Sequence, residues 1–509
     1  MSPDFAALPD RRSGTLATLD HPSAGVPVLA AVLVFAWVWL SASLNQGQLG
    51  DHFEEFAWAH SMEWGYYKHP PMPIWLLSSL IALLGPATWA TYVLSGLFNA
   101  GTAVLTFLIA RTLFNGRVAT LAVILWGLDY KYSVRAEWWN HNTTLIFFTA
   151  LTIWLAMRAV LSGRQSWWGA AGMAGGLAML SKYQAAIPLF GMLIALWHSG
   201  ALKDKTHQRG LALAALLALL LFLPHIAWVF NHHFSTIKYA AQQENHLDLL
   251  GRLKTSVSFL AIQTRMLFPA LLCLFLASRL RQDQAAPASG TATAGQPEST
   301  LLPARSWLIG LVWFPIAAVL CTALFGGLRL MDHWGYQTMQ FFPLILARRF
   351  APRLRIDLKR LLLLAGLIHL ASMYVHAQAV LHPSGSGRPD TSYPAQAIAQ
   401  AALHDWRAAT NCPLRFVVGP SFEAGMISLY SGEFPAVLEA NQPDLSPWID
   451  MAQLNNAGAL YIETDPPATA VKHSVFTFRL PGADNTEERT IRWSVVPPQT
   501  CDSALPDVP

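Results

Sequence analysis

Charge is what this sequence has least of. Only 13% of its 509 residues are Asp, Glu, Lys or Arg, about half the share of an ordinary soluble domain. Beside 53% hydrophobic residues, that deficit excludes an ordinary soluble protein. The net charge of +4 is small and no segment pools the basic residues, which argues against a nucleic-acid partner. Cysteine is scarce, with four residues. Cys273 and Cys321 lie in apolar runs and read as small hydrophobes, whereas Cys412 and Cys501 lie in a polar tail and are free to pair if that tail is periplasmic. No Gly-rich phosphate loop, Walker motif or Ser-His-Asp pattern in usable context is present, and no internal repeat. The first apolar run is long and has no clear small-residue cleavage site, so no cleavable signal peptide is expected.

Long apolar runs and aromatics fill the space that charge leaves. The 20 Trp and 26 Phe suit a chain whose aromatics line both membrane interfaces. Residues 1–25 are polar and read as a disordered cytoplasmic tail. Spans are expected near 26–44, 89–110, 118–132, 142–160, 166–180, 183–199, 210–230, 256–278, 306–325, 336–347 and 361–380, because runs of about 20 apolar residues cross a bilayer. Residues 72–84 are apolar but short, and read as interfacial or re-entrant. With that choice five basic clusters fall on one side: Arg111/Arg117, Arg158/Arg164, Lys203/Lys205/Arg209, Arg279/Arg281 and Arg348/Arg349/Arg353/Arg355. Basic residues mark cytoplasmic loops. The expectation is a mainly α, polytopic inner-membrane protein of about eleven transmembrane helices, with the N-terminus inside. Residues 26–382 form its membrane domain, with a first periplasmic loop at 45–88 and a low-complexity cytoplasmic loop at 282–304. Residues 383–509 form a small periplasmic α/β domain. Its strands are expected in RFVVGP, ALYIET, VFTFRLP and TIRWSVVPP, and a short helix in SPWIDMAQLNN.

The chemistry concentrates in GDHFEEFAWAHSMEWGYYKHPPMPIWLL, residues 50–77. Ionisable groups at the membrane surface beside a span are functional candidates. Moving a sugar off a lipid phosphate needs a carboxylate to take the acceptor's proton. It also needs a cation to hold the departing phosphate as charge builds on it. Asp51 and Lys68 have the right types, and Pro70-Pro71 stiffens the chain after Lys68. The residues alone leave a plainer reading open, in which Asp51, Glu54 and Glu55 are a solvated face and Lys68 a snorkelling anchor.

The segment resembles the first outer loop of GT-C glycosyltransferases of the protein O-mannosyltransferase type. It looks most like the bacterial branch with the lipid A aminoarabinose transferase and the core galacturonosyltransferases. WGYYKHPPMPIW (64–75) matches that branch's Tyr-x-x-(Lys/His)-Pro-Pro element, GLAMLSKYQAAIPL (176–189) its span with a Lys at the outer end, and LPHIAWVFNHH (223–233) its Pro-then-Trp-Asn element. The resemblance implies a GT-C-like fold, a catalytic or acceptor-orienting role for Asp51 and a phosphate contact for Lys68. The second acid of many members' first loop is replaced by His52, leaving Glu54 or Glu55 as substitutes. The Asp those members carry near 142 is replaced by Asn140-His141-Asn142, which leaves Asn142 to bind a sugar hydroxyl. Lys182 is a second phosphate candidate, and Arg265, read as mid-span, a third. Arg135 and Glu137 are read as a local pair. His-Trp at 333–334 resembles an element near the donor pocket, placing His333 with the substrate-binding residues. No metal ligand set is assigned; a divalent ion is compatible with the sequence and not required by it.

The function so implied is inverting transfer of a sugar from a polyprenyl-phosphate donor to a lipid, glycan or protein acceptor at the periplasmic face. The absence of a nucleotide-sugar fold fits a donor carried on lipid. A transporter or flippase of a lipid-linked sugar is the rival class, though inverted repeats expected of many transporters are missing. A structural subunit of an envelope complex would leave the placement of Asp51 and Lys68 unexplained.

Overall fold

A computed structural model of the chain describes residues 25–242, 247–280, 302–354, 356–382, 390–480 and 487–501. The tail at 1–24 and most of the low-complexity loop lie outside these residues. The membrane part comprises α1 (Gly25–Leu44), α2 (Gly50–Trp58), α3 (Met72–Leu84), α4 (Ala90–Leu113), α5 (Gly116–Leu128) and α6 (His141–Ser162). It continues with α7 (Gln165–Ser181), α8 (Ala186–His198), α9 (Lys205–Asn231), α10 (Ser235–Gln242), α11 (Leu249–Met266) and α12 (Phe268–Arg279). After the loop come α13 (Ala304–Leu308), α14 (Phe314–Leu324), α15 (Gly335–Thr338), α16 (Phe342–Phe350) and α17 (Leu358–Leu381).

Among the described residues six helices are long and apolar enough to cross a membrane: α1, α4, α6, α9, the continuous Ala304–Leu324 stretch and α17. A seventh is α11 with α12, if the pair, bent by 54°, is one span. The helix α3 is short and apolar, as the sequence implies for 72–84. Two expected spans differ in detail. Residues 336–347 are split between α15 and α16, because Pro343 in the first turn of α16 has no N–H to extend the preceding helix. Residues 256–278 bend where Pro269 opens α12, so Arg265 lies in the last turn of α11 beside the bend and not in the middle of a straight span.

Small residues let the helices touch. Gly172 and Gly176 of α7 lie one turn apart and meet the backbone of α9 at Ala214 and Ala218, with no room for a Cβ. Gly191 of α8 meets Gly310 in the same manner. Such close approach is how apolar helices associate where lipid removes the hydrophobic drive. Arg117 donates to the Leu354 carbonyl, bringing two of the five basic clusters together.

The C-terminal part adds α18 (Ala395–Ala409), β1 (Phe416–Gly419), α19 (Ser421–Tyr430), β2 (Ala436–Glu439), α20 (Met451–Ala457), β3 (Ala459–Ile462), β4 (Lys472–Leu480) and β5 (Glu487–Val496). The sheet order is β2-β1-β3-β5-β4, parallel across β2-β1-β3 and antiparallel across β3-β5-β4. Alternate residues serve opposite faces. Phe416, Val418 and Leu438 pack with Leu454 of α20. Val417, Val437 and Leu460 pack with Ile398 and Ile427 of α18 and α19, and with Phe53 and Phe56 of α2. The first loop therefore shares a hydrophobic core with the C-terminal sheet. Cys412 and Cys501 form a disulfide that closes the sheet's span of sequence. Cys273 is buried as expected, whereas Cys321 is exposed on the protein surface.

Candidate active site

Helix α2 is short because its turns are held by packing and not by propensity. Phe53, Phe56 and Trp58 are buried beneath it, which fixes its acidic face. His52 is buried and joins three segments: its Nδ1 faces Gln48 Oε1 at 3.0 Å and its Nε2 accepts from the Trp139 N–H at 3.0 Å. Burial pushes its pKa down to about 3, so the ring is a neutral strut between α2 and the 129–140 loop.

That strut brings Asp51 to the N-terminus of α6. Asn140 caps this helix, its side-chain oxygen accepting from the N–H groups of Asn142 and Thr143. Its amide nitrogen donates to Asp51 Oδ2 at 2.7 Å. Asn142, the second residue of the helix, accepts from Lys182 Nζ at 2.9 Å. Lys182 ends α7 in extended conformation, which projects it toward the site. Burial pulls its pKa down to about 8, although the nearby Asp51 carboxylate favours the charged form. A largely protonated ammonium with little water is a strong phosphate ligand.

Lys68 is ion-paired with Glu54. Its Nζ stands among three rings, 5.7 Å from the centroid of Trp58, 5.2 Å from Tyr67 and 5.8 Å from Tyr239 of α10. Burial raises Glu54 to about 7 against the pull of Lys68, with Glu439 and Asp51 adding repulsion. Glu55 points elsewhere: one oxygen lies 3.5 Å from His141 Nδ1 and the other is buried without a hydrogen-bond partner among the described residues. Burial first, and the nearby Glu54 and Asp51 carboxylates after it, hold its pKa well above the usual range.

His333 lies at the margin of the same cluster. Burial first and the charge of Lys182 second push its pKa down to about 3. Its neighbour Asp332 is held by Arg135 at 2.9 Å. Arg135 is thus not the partner of Glu137, which accepts from Asn45 at 2.9 Å; a short loop left both pairings open, and the fold chose the longer one. Arg265 is not brought to the cluster. It is exposed at the α11–α12 bend and makes no hydrogen bond or ion pair among the described residues. No group of three or more His, Cys, Asp or Glu is arranged to hold a metal ion among the described residues.

Three participants were not singled out in the sequence. Asn140 was noted only as a departure from an acidic pattern, and is the residue that orients Asp51. Tyr239 lies in the short helix α10, in a stretch with no motif. Glu439 lies about 370 residues from Lys68 in a strand with one β-branched residue and no aromatic.

Parts of the chain resemble known proteins. Residues 68–228 match the family described as dolichyl-phosphate-mannose-protein mannosyltransferase. The lipid A galacturonosyltransferase RgtD of Rhizobium johnstonii is 24% identical over 229 residues, 43% of this chain and 46% of that protein. The lipopolysaccharide core galacturonosyltransferase RgtB of the same organism is 24% identical over 291 residues, 55% of this chain and 56% of that protein. The chain thus spans about half the length of the curated relatives it matches. The crystal structure of ArnT from Cupriavidus metallidurans bound to undecaprenyl phosphate superposes with a TM-score of 0.57 at 15% identity, covering 92% of this chain and 98% of that one. The family resemblance read from residues 64–75 is borne out by the family match over 68–228, and the fold is like that of ArnT.

Proposed function

We propose that the chain is a membrane glycosyltransferase that takes a sugar from a polyprenyl-phosphate donor. The observation that carries this is the convergence of Asp51, Glu54, Lys68, Asn142, Lys182 and His333 on one place beside the helix ends. Asp51 takes the proton from an acceptor hydroxyl or amine as that group attacks the anomeric carbon. The bond from that carbon to the phosphate oxygen breaks, and polyprenyl phosphate leaves. Lys182, which has no carboxylate directly bonded to it, receives the phosphate first; Lys68 joins when Glu54 releases it. Asn142 and His333 line the sugar. A single displacement inverts the anomeric centre. The names of RgtD and RgtB favour a lipopolysaccharide glycolipid over a protein as acceptor.

The same reading gives the topology. The shorter α5, α7, α8 and the α15–α16 pair, added to the seven longer candidates, supply eleven crossings of a bacterial inner membrane. The N-terminal residues 1–25 and the loop at 282–304 are then cytoplasmic, and residues 383–509 are periplasmic. The Cys412–Cys501 disulfide supports an oxidising compartment for that domain, and the co-location of Arg117 with the 348–355 cluster supports a common cytoplasmic side.

The test is purified protein in liposomes with a labelled polyprenyl-phosphate sugar and a lipid A or core acceptor. Label appearing in the acceptor is expected. Donor crossing the bilayer with no transfer would replace the enzyme with a flippase.

A further inference from the structure

One buried carboxylate of the C-terminal domain reaches the first loop. Glu439 ends β2, where it pairs with Gly419 of β1. Its side chain leaves the sheet and accepts from two donors of the first loop: Trp58 Nε1 at 2.9 Å and the Tyr67 hydroxyl at 2.6 Å. The backbone at Glu439 is held as well, its N–H donating to Ser446 Oγ at 3.0 Å.

The turn that follows is strained. Ala440 and Asn441 both have positive φ, 50° and 56°. The left-handed region is disfavoured for alanine because its Cβ crowds the following carbonyl, and strain of this kind persists where surrounding structure enforces a particular placement. Here the enforced placement is that of the Glu439 carboxylate.

Trp58 and Tyr67 are two of the three rings around the Lys68 ammonium. Tyr66 stacks on Trp58 with centroids 5.3 Å apart and leans on Trp448 of the C-terminal domain at 5.6 Å. The wall beside Lys68 is therefore braced from the domain that folds some 370 residues later. Glu439 does not bond Lys68 itself. Its charge still bears on that ammonium and on Glu54.

We propose that Glu439 is a positioning residue of the donor-phosphate site: by holding the Trp58 indole and the Tyr67 phenol, it fixes where the Lys68 ammonium stands, which makes the C-terminal domain part of lipid-phosphate recognition. This rests on the glycosyltransferase reading above. It explains why α2 and the sheet share a core: register between the two domains sets the geometry of one cation.

The experiment compares full-length wild type, Glu439→Ala, Glu439→Gln and Tyr67→Phe for binding of undecaprenyl phosphate and for steady-state transfer. Glu439→Ala is expected to weaken binding and raise the donor KM about tenfold, the effect of roughly one buried hydrogen bond, with kcat changed less than about threefold. Glu439→Gln accepts from Trp58 through its oxygen and donates to the Tyr67 hydroxyl through its amide, so it restores binding to within about threefold of wild type. Tyr67→Phe removes one bond alone and keeps the result readable if the alanine variant does not fold; it too weakens binding. Equal binding by wild type and Tyr67→Phe or Glu439→Ala overturns the proposal, as does a glutamine variant impaired as severely as alanine. Failure of the enzymatic reading shows elsewhere, as wild-type protein that transfers no sugar.

Discussion

The pairing of Lys68 with Glu54 has a consequence for the pH dependence of donor use. A polyprenyl-phosphate sugar is a phosphodiester, a permanent anion over the whole neutral range. To engage Lys68 it must compete with an ionised Glu54, but not with a neutral one. Glu54 ionises at about 7, raised by its burial and lowered again by Lys68. If the donor engages Lys68 only when Glu54 is neutral, apparent affinity falls as pH rises by the factor that Glu54 ionisation imposes. Between about pH 6 and about pH 7.5 that factor is about fourfold. Lys182, half deprotonated at about pH 8, keeps about three quarters of its protons at the upper limit. The same shift has a stability side. A carboxyl raised in the folded state favours folding below its unfolded pKa, and that contribution is lost as pH rises through about 7; the difference amounts to roughly 3 kcal/mol. The assay is the donor KM of wild type and Glu54→Gln across this window. Wild type should show a fourfold rise and the glutamine variant a flat line at the low-pH value. A flat wild-type profile, or a glutamine variant that keeps the slope, refutes the competition between Glu54 and phosphate.

Two further outcomes follow from the fold. Gly172→Leu should lower the thermal midpoint in detergent, since overpacking the α7–α9 contact costs about 1–3 kcal/mol; an unchanged midpoint would mean the helices do not touch there. Cys412→Ser opens a loop of 89 residues and should cost about 4 kcal/mol by loop entropy, seen as earlier proteolysis between 412 and 501. Equal protease resistance would contradict the pairing.

Much of this was legible in the sequence, and the boundary has physical causes. Spans such as α1, α6 and α17 announce themselves because apolarity alone defines them. The breaks at Pro269 and Pro343 are also written in the chain, yet an apolar run reads through a proline unless its lost N–H is counted. Strands β1, β3, β4 and β5 are signalled by β-branched and aromatic runs. The strand β2, AVLE, has one β-branched residue and no aromatic, so it carries no such signal, and Glu439 escapes notice with it. Candidate residues were identifiable by type and by position near the membrane surface; their pairings were not. Lys68 bonds Glu54, 14 residues away, Asp51 bonds Asn140, 89 residues away, and Arg135 bonds Asp332, 197 away. Nothing local selects among such partners. Tertiary packing makes the choice; α2, for one, is seated on α19 of the C-terminal domain and tied to α4 through Thr91 and His52. Arg265 shows the converse: a charge that the chain marks as costly, but that the bend between α11 and α12 turns to the surface.

The proposed mechanism divides the labour: Asp51 handles the acceptor's proton, and the ammonium groups of Lys182 and Lys68 hold phosphate. Asp51→Asn separates the two, because asparagine keeps the size and an acceptor for the Asn140 amide while losing the base. Purified Asp51→Asn protein should bind undecaprenyl phosphate within about threefold of wild type, yet transfer sugar at least about a hundredfold more slowly. Transfer at the wild-type rate, or loss of lipid-phosphate binding together with transfer, would contradict the account.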